Sequence, residues 1–206
     1  MNENNYFKIL KIFNSNNEFS FIIKNLLNKP IIFNINEIEY NMNSNSVIKT
    51  KFINSNEIFI SIGNEDITFK YDMTPYSKLQ VGFGPDTLIE TKNKAINISE
   101  INSGDIIIDS AGNNVVVKNV IVTVVDKLFK VILIKKSKCG LNLPYSNIVM
   151  SIKNNLKIKK IILKGRNLFL NGKADVYKLS DNFPLYSIEI EGKKDYLLNG
   201  FIVESV

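Results

Sequence analysis

Apolar residues recur at every second position in short runs along the chain, and polar turn-formers separate the runs. Residues 6–13 (Tyr-Phe-Lys-Ile-Leu-Lys-Ile-Phe) mix alternation with adjacent apolar pairs and stop at Asn14-Ser-Asn-Asn17. Runs at Phe19–Ile23, Ile31–Ile35, Glu37–Asn41, Val47–Ile53, Glu57–Ile62 and Asp66–Tyr71 follow. The breaks at Asn43-Ser-Asn-Ser46, Asn54-Ser-Asn56 and Gly63-Asn64 space these runs about ten residues apart, as in a sandwich or barrel. No stretch keeps apolar residues at i, i+3, i+4 and i+7 for three turns, and β-branched residues dominate the apolar set. The expected fold class is therefore all-β, with any helix short. Pro75 has no N–H to give a central strand, and its neighbours Met73–Lys78 are suited to a connector. This places a small N-terminal sandwich or barrel-like β-domain in residues 1–78 and a second β-domain in residues 79–206.

In the second domain, Gly82-Phe-Gly-Pro-Asp-Thr-Leu-Ile-Glu90 reads as a glycine- and proline-marked strand start. A polar turn at Lys92–Lys94, Ile96 and Ile98, and a turn at Ser103-Gly104-Asp105 come next. Asp105–Asp109 ends in a hairpin signal, Ser110-Ala-Gly-Asn-Asn114. Val115–Val125 predicts a long bent strand, and Phe129–Lys135 is apolar enough for burial on both faces. Lys136–Pro144 reads as a loop, Ser146–Ile152 as a strand, and Gly172-Lys173 as a turn. Leu185–Glu191 and Asp195–Ser205 predict a hairpin closed at Gly192-Lys-Lys, its second arm folding again at Asn199-Gly200.

Phe83, Thr87, Leu88, Ile89, Ile98, Ile101, Gly104 and Asp105 fall on a pattern that resembles the opening motif of the Hint (hedgehog/intein) family. The Asn-Gly hairpin that closes the chain is similar to the family's closing motif. The resemblance covers residues 80–206 and implies a Hint-like β-domain. In that family a Cys or Ser attacks the carbonyl just before it, which demands an activatable thiol or hydroxyl. The matching position here is Gly82. The family's Thr-x-x-His, which helps orient and protonate the scissile amide, is matched to Leu143 and Ser146, and its terminal His-Asn pair to Glu204 and Ser205. The resemblance thus implies the fold without catalytic residues.

The single Cys139 excludes an intramolecular disulfide, and with no histidine the usual nitrogen ligand for zinc is missing. No metal or cofactor is expected. No apolar run reaches the roughly 18 residues of a membrane span. Met1-Asn-Glu-Asn-Asn has no features of a signal peptide, so a virion or intracellular location is expected. The net charge of +6 is uneven: Lys153, Lys157, Lys159, Lys160, Lys164, Arg166 and Lys173 run without an intervening acid. They form either a solvated rim or the contact for an anionic partner, nucleic acid included.

Among the other candidates, Cys139 lies beside Lys135, Lys136 and Lys138, which lower a thiol pKa. Glu189 and Glu191 share a strand face, as an acid/base pair or a solvated edge. Asp86, Asp105 and Asp109 lack calcium-loop spacing. Lysines interleave with Tyr6, Phe7, Phe13, Phe19 and Phe21, as in a single-strand nucleic-acid platform or a β-core. Abundant Asn, Ile and Lys without Trp or His suggest an A+T-rich coding sequence, as in large DNA viruses and in some bacteria and protists.

These readings together predict a non-enzymatic structural or interaction protein that assembles with other proteins, most concretely a virion or capsid-associated component of a large DNA virus. The alternatives are an autoprocessing protein whose nucleophile has moved to Cys139 or Ser77, and a nucleic-acid-binding protein using residues 153–173.

Overall fold

The computed structural model describes residues 5–16, 18–63, 67–77, 79, 81–140, 142–192 and 195–206. Asn17, Asn64, Asp66, Lys78, Lys193 and Lys194, which belong to the turns, strand start and boundary expected above, lie outside them. The chain divides into two units, Met1–Leu79 and Gln80–Val206.

The first unit contains β1 (Phe7–Ser15), β2 (Glu18–Asn25), β3 (Ile31–Ile35), β4 (Ile38–Met42), β5 (Val47–Lys49), β6 (Glu57–Ile62), β7 (Thr68–Asp72) and a single helical turn, α1 (Thr74–Ser77). β1 pairs with β2 and β2 with β5; β3 pairs with β4 and β6, and β6 with β7. The period-2 pattern turns one face of each strand inward. Phe19, Phe21 and Ile23 of β2 and Phe33 and Ile35 of β3 are fully buried in one cluster with Phe7, Ile12, Ile58 and Ile60. Phe7 meets Phe33 at 6.3 Å and Phe69 edge-on at 5.4 Å, aromatic contacts that add to area burial. Of the lysine-interleaved aromatics, Phe7, Phe19 and Phe21 are thus core, whereas Phe13 faces outward and is half-buried. Buried Asn25 is satisfied: its amide donates to the Lys29 and Asn43 carbonyls and its oxygen accepts the Leu27 N–H, as a buried polar group requires.

The second unit contains β8 (Leu88–Glu90), β9 (Ala95–Asn97), β10 (Ile106–Ile108), β11 (Asn114–Val125), β12 (Val131–Ile134), β13 (Ile148–Ser151), β14 (Asn155–Ile158), β15 (Ile161–Lys164), α2 (Gly165–Leu170), β16 (Asp175–Val176), β17 (Phe183–Ile190), β18 (Asp195–Leu198) and β19 (Phe201–Glu204). The expected long strand forms as β11, paired with β10 at one end and with β17 along Val117–Val125. Its register shifts between Val117 and Asn119. β12 lies between β13 and β16, and a further sheet runs β15-β14-β19-β18-β8-β9.

One expectation is corrected here. Leu185–Glu191 does not form a hairpin with Asp195–Ser205: β17 pairs with β11, whereas β18 pairs with β19 and β8. β11 is buried from Asn119 to Thr123 without a break, so it offers β17 a longer buried partner than four-residue β18. The Asn199-Gly200 turn does form, joining β18 to β19.

Candidate functional site

The segment Val81–Gly84 threads between β13 and β17. Phe83 exchanges backbone hydrogen bonds with Tyr186, its N–H donating at 2.9 Å and its carbonyl accepting at 2.8 Å. The Gly84 N–H donates to the Val149 carbonyl at 2.7 Å, and the Ser151 N–H donates to the Gly82 carbonyl at 3.0 Å. Every backbone group of a segment buried this deeply must find a partner, and this segment finds its partners on both sides.

The Val81–Gly82 peptide group is held at both of its polar atoms by side chains. The Ser187 hydroxyl donates to the Val81 carbonyl at 3.1 Å, and the Gly82 N–H donates to Asn154 Oδ1 at 2.7 Å. Ser187 and Asn154 are themselves 3% and 7% exposed, so neither exchanges its bond readily for water. β17 places Ser187, and the turn between β13 and β14 places Asn154.

Gly82 has φ +148°, a backbone that L side chains rarely adopt. A Cβ built on it would stand 2.9 Å from Leu185 Cβ and 3.1 Å from the Leu185 carbonyl carbon. The position has no room for the thiol or hydroxyl that the family's chemistry demands.

Val81, Phe83, Asn154 and Ser187 line a cleft of about 260 Å³ with Lys153, Lys157, Tyr196, Glu204, Ser205 and Val206. β14 and β19 meet here only at Lys157 and Ile202, and their divergence opens the cleft. Ser205 is tied to β17, its hydroxyl accepting the Ile190 N–H at 2.7 Å. Tyr196 is fully buried, and burial pushes its phenol far above the ordinary value, so it stays neutral and serves packing.

The expected site residues are distributed unequally. Glu204 and Ser205 line this cleft, and Gly82 lies between its lining residues Val81 and Phe83. Leu143 and Ser146 sit elsewhere, in the loop before β13. Leu143 packs against Gly200. The Ser146 N–H donates to Asn199 Oδ1, and Asn199 Nδ2 donates to the Ser146 carbonyl and hydroxyl. What reaches Gly82 is Ser151-Ile-Lys-Asn154, eight residues downstream of the alignment on Leu143 and Ser146, with the same i, i+3 spacing. A Ser-x-x-Asn at the end of an apolar strand was the available signal for it.

The basic segment spans several elements. Lys153 and Lys157 line the cleft, Lys159 and Lys160 form the turn between β14 and β15, Lys164 ends β15, Arg166 lies in α2, and Lys173 follows that helix.

Cys139 is half-buried, and burial raises its thiol pKa against the opposing pull of Lys173. This reverses the lowering expected from its lysine neighbours, because desolvation of the thiolate outweighs the pull of Lys173. The Ser77 hydroxyl belongs to the first unit and donates to the Thr74 carbonyl.

Asp105, Asp109 and Glu189 are occupied in turns and pairs. Asp109 accepts the Ala111 and Asn113 N–H groups, and Asp105 accepts the Asn102 N–H. Glu189 accepts from Lys118 Nζ and Asn119 Nδ2, both at 2.6 Å. Among the described residues, no three His, Cys, Asp or Glu side chains come together as a metal site.

No family model and no curated protein matches the chain. Solved structures to which it is similar include the MchDnaB-1 intein (12% identity, 60% of this chain and 99% of that one, TM-score 0.42) and the gp41-1 intein (18%, 60% and 97%, 0.41). A third is the Msm DnaB1 intein splicing domain bound with zinc (14%, 59% and 98%, 0.41).

Proposed function

We infer that residues 80–206 form a Hint-like domain that does not process itself and serves as an interaction scaffold. The reading rests on the opening and closing sequence motifs together with one observation. The Val81–Gly82 peptide is gripped at its carbonyl by Ser187 and at its N–H by Asn154, while Gly82 supplies no nucleophile. Acyl transfer needs a nucleophile within reach of the carbonyl and aligned with it. Ser187, the hydroxyl beside that carbonyl, points its proton at the oxygen. The contacts that in the family orient the scissile amide are here structural hydrogen bonds that fasten the start of the unit to β13, β14 and β17.

The partners in this reading are other proteins of an assembly. A particle of a large DNA virus is the most concrete assembly, on the A+T-type composition and the family's occurrence in such viruses. No helix of the described residues is long and apolar enough to cross a membrane.

The test is to incubate the purified chain with dithiothreitol or hydroxylamine and follow intact mass. The full-length mass persists on this account. Release of a fragment ending at Val81 would instead establish an ester or thioester intermediate and an active autoprocessing domain.

A further inference from the structure

We propose that the outward face of β1, β2 and β5 binds single-stranded nucleic acid, a role separate from that of the second unit. The first unit is close to neutral in sum, but its charges are sorted by sheet. Alternation turns Lys8, Lys24 and Lys49 to the side of β1, β2 and β5 opposite the core. The register then sets Lys8 across from Lys24, Lys24 across from Val47, and Ile22 across from Lys49. Like charges directly opposite one another on a sheet are destabilising, so the free protein carries a cost at the Lys8–Lys24 pair that an anionic ligand removes. Glu18, at the far end of the β1–β2 hairpin, is the one acid in these three strands. Glu39 and Glu57 lie on the other sheet, where Glu57 pairs with Lys70 at 2.6 Å.

Two phenyl rings lie beside Lys49. Lys49 Nζ is 4.3 Å from the Phe13 ring centroid and 5.9 Å from that of Phe52, and Phe52 is 41% exposed. A cation over an exposed ring is held more weakly than a base stacked on one. An unpaired base can therefore take the ring faces and release the Lys49 ammonium to a phosphate. Duplex bases are already stacked and cannot do this. The basic segment of the second unit carries one partly exposed ring, Phe169 at 37%, beside the more exposed aliphatic groups Ile161, Ile162 and Leu170, and aliphatic side chains do not stack with bases.

The experiment is fluorescence anisotropy of the full chain with labelled oligo-dT and oligo-rU of about 15 nucleotides, and with a duplex of equal length. The single strands are expected to bind, and three lysine–phosphate contacts predict affinity falling about twentyfold between about 50 and 200 mM salt. Phe52→Ala, at an exposed site, is expected to weaken binding roughly tenfold. Lys24→Gln with Lys49→Gln should flatten the salt dependence. Lys159→Gln with Lys160→Gln should change neither. Absence of single-strand binding at low salt overturns the proposal. So does duplex binding that Phe52→Ala leaves unchanged, loss of binding on substitution of Lys159 and Lys160, or capture of poly-glutamate in preference to the oligonucleotides.

Discussion

Gly82 has no side chain to react, and any that replaced it would meet a backbone that L residues rarely adopt and Leu185 where a Cβ would go. Restoring the family's residue is therefore predicted to damage the fold without reviving chemistry. Gly82→Cys should lower unfolding stability by about 1–3 kcal/mol, through overpacking and backbone strain. Asn154→Ala should cost a similar amount, about 1–3 kcal/mol, because the buried Gly82 N–H loses its acceptor. Chemical denaturation of the two variants measures both, and unchanged midpoints would contradict the described contacts. Cys139 gives a third expectation. With burial holding its thiol pKa up, its alkylation near neutral pH should be slower than that of an unhindered cysteine and should accelerate on unfolding. The absence of the nucleophile could be read from the sequence at Gly82 alone. The partner of the Gly82 N–H was harder to read: with neither Thr nor His present, spacing alone fits Leu143-Pro-Tyr-Ser146 as well as Ser151-Ile-Lys-Asn154, and only the polar Ser and Asn at the end of an apolar strand favour the second.

Among the elements, alternation and turn residues mark most strands well, and β10–β11 and β18–β19 form at the hairpin signals Ser110–Asn114 and Asn199-Gly200. Partner choice is another matter. The sequence sets β17 directly before β18, yet β17 pairs with β11, about seventy residues earlier, because a strand buried across its middle rewards a long apolar partner. Local pattern does not encode that competition. The turn between β18 and β19 also couples to β8. The Glu90 carboxyl makes a backbone hydrogen bond at Gly200, and its Oε1 is buried without a hydrogen-bond partner among the described residues. Burial raises the Glu90 pKa, so the folded state holds that proton more tightly than the unfolded chain. Its contribution to stability is then fully present below the ordinary glutamate range and is lost as pH rises through the raised value. Thermal melts of Glu90→Gln should lack this component and lie above the parent at neutral pH. A parent and variant with parallel profiles would contradict the assignment.

At the scale of the whole molecule, an all-β chain was legible from periodicity and β-branched content, whereas the sorting of charge in the first unit was not. Lys8, Lys24 and Lys49 are far apart in sequence among acids that balance them, and only strand pairing gathers them on one face. The basic run from Lys153 to Lys173, conspicuous in the sequence, runs through the cleft lining, the turn between β14 and β15, and α2. The function proposed for the second unit is that of a Hint-like framework with no nucleophile at Gly82. Intact-mass measurement of the wild-type chain beside Gly82→Cys, each held with dithiothreitol or hydroxylamine, tests it most directly. The account predicts one full-length species from both proteins at every time point. A fragment ending at Val81 from the wild-type chain, or from Gly82→Cys, would contradict it.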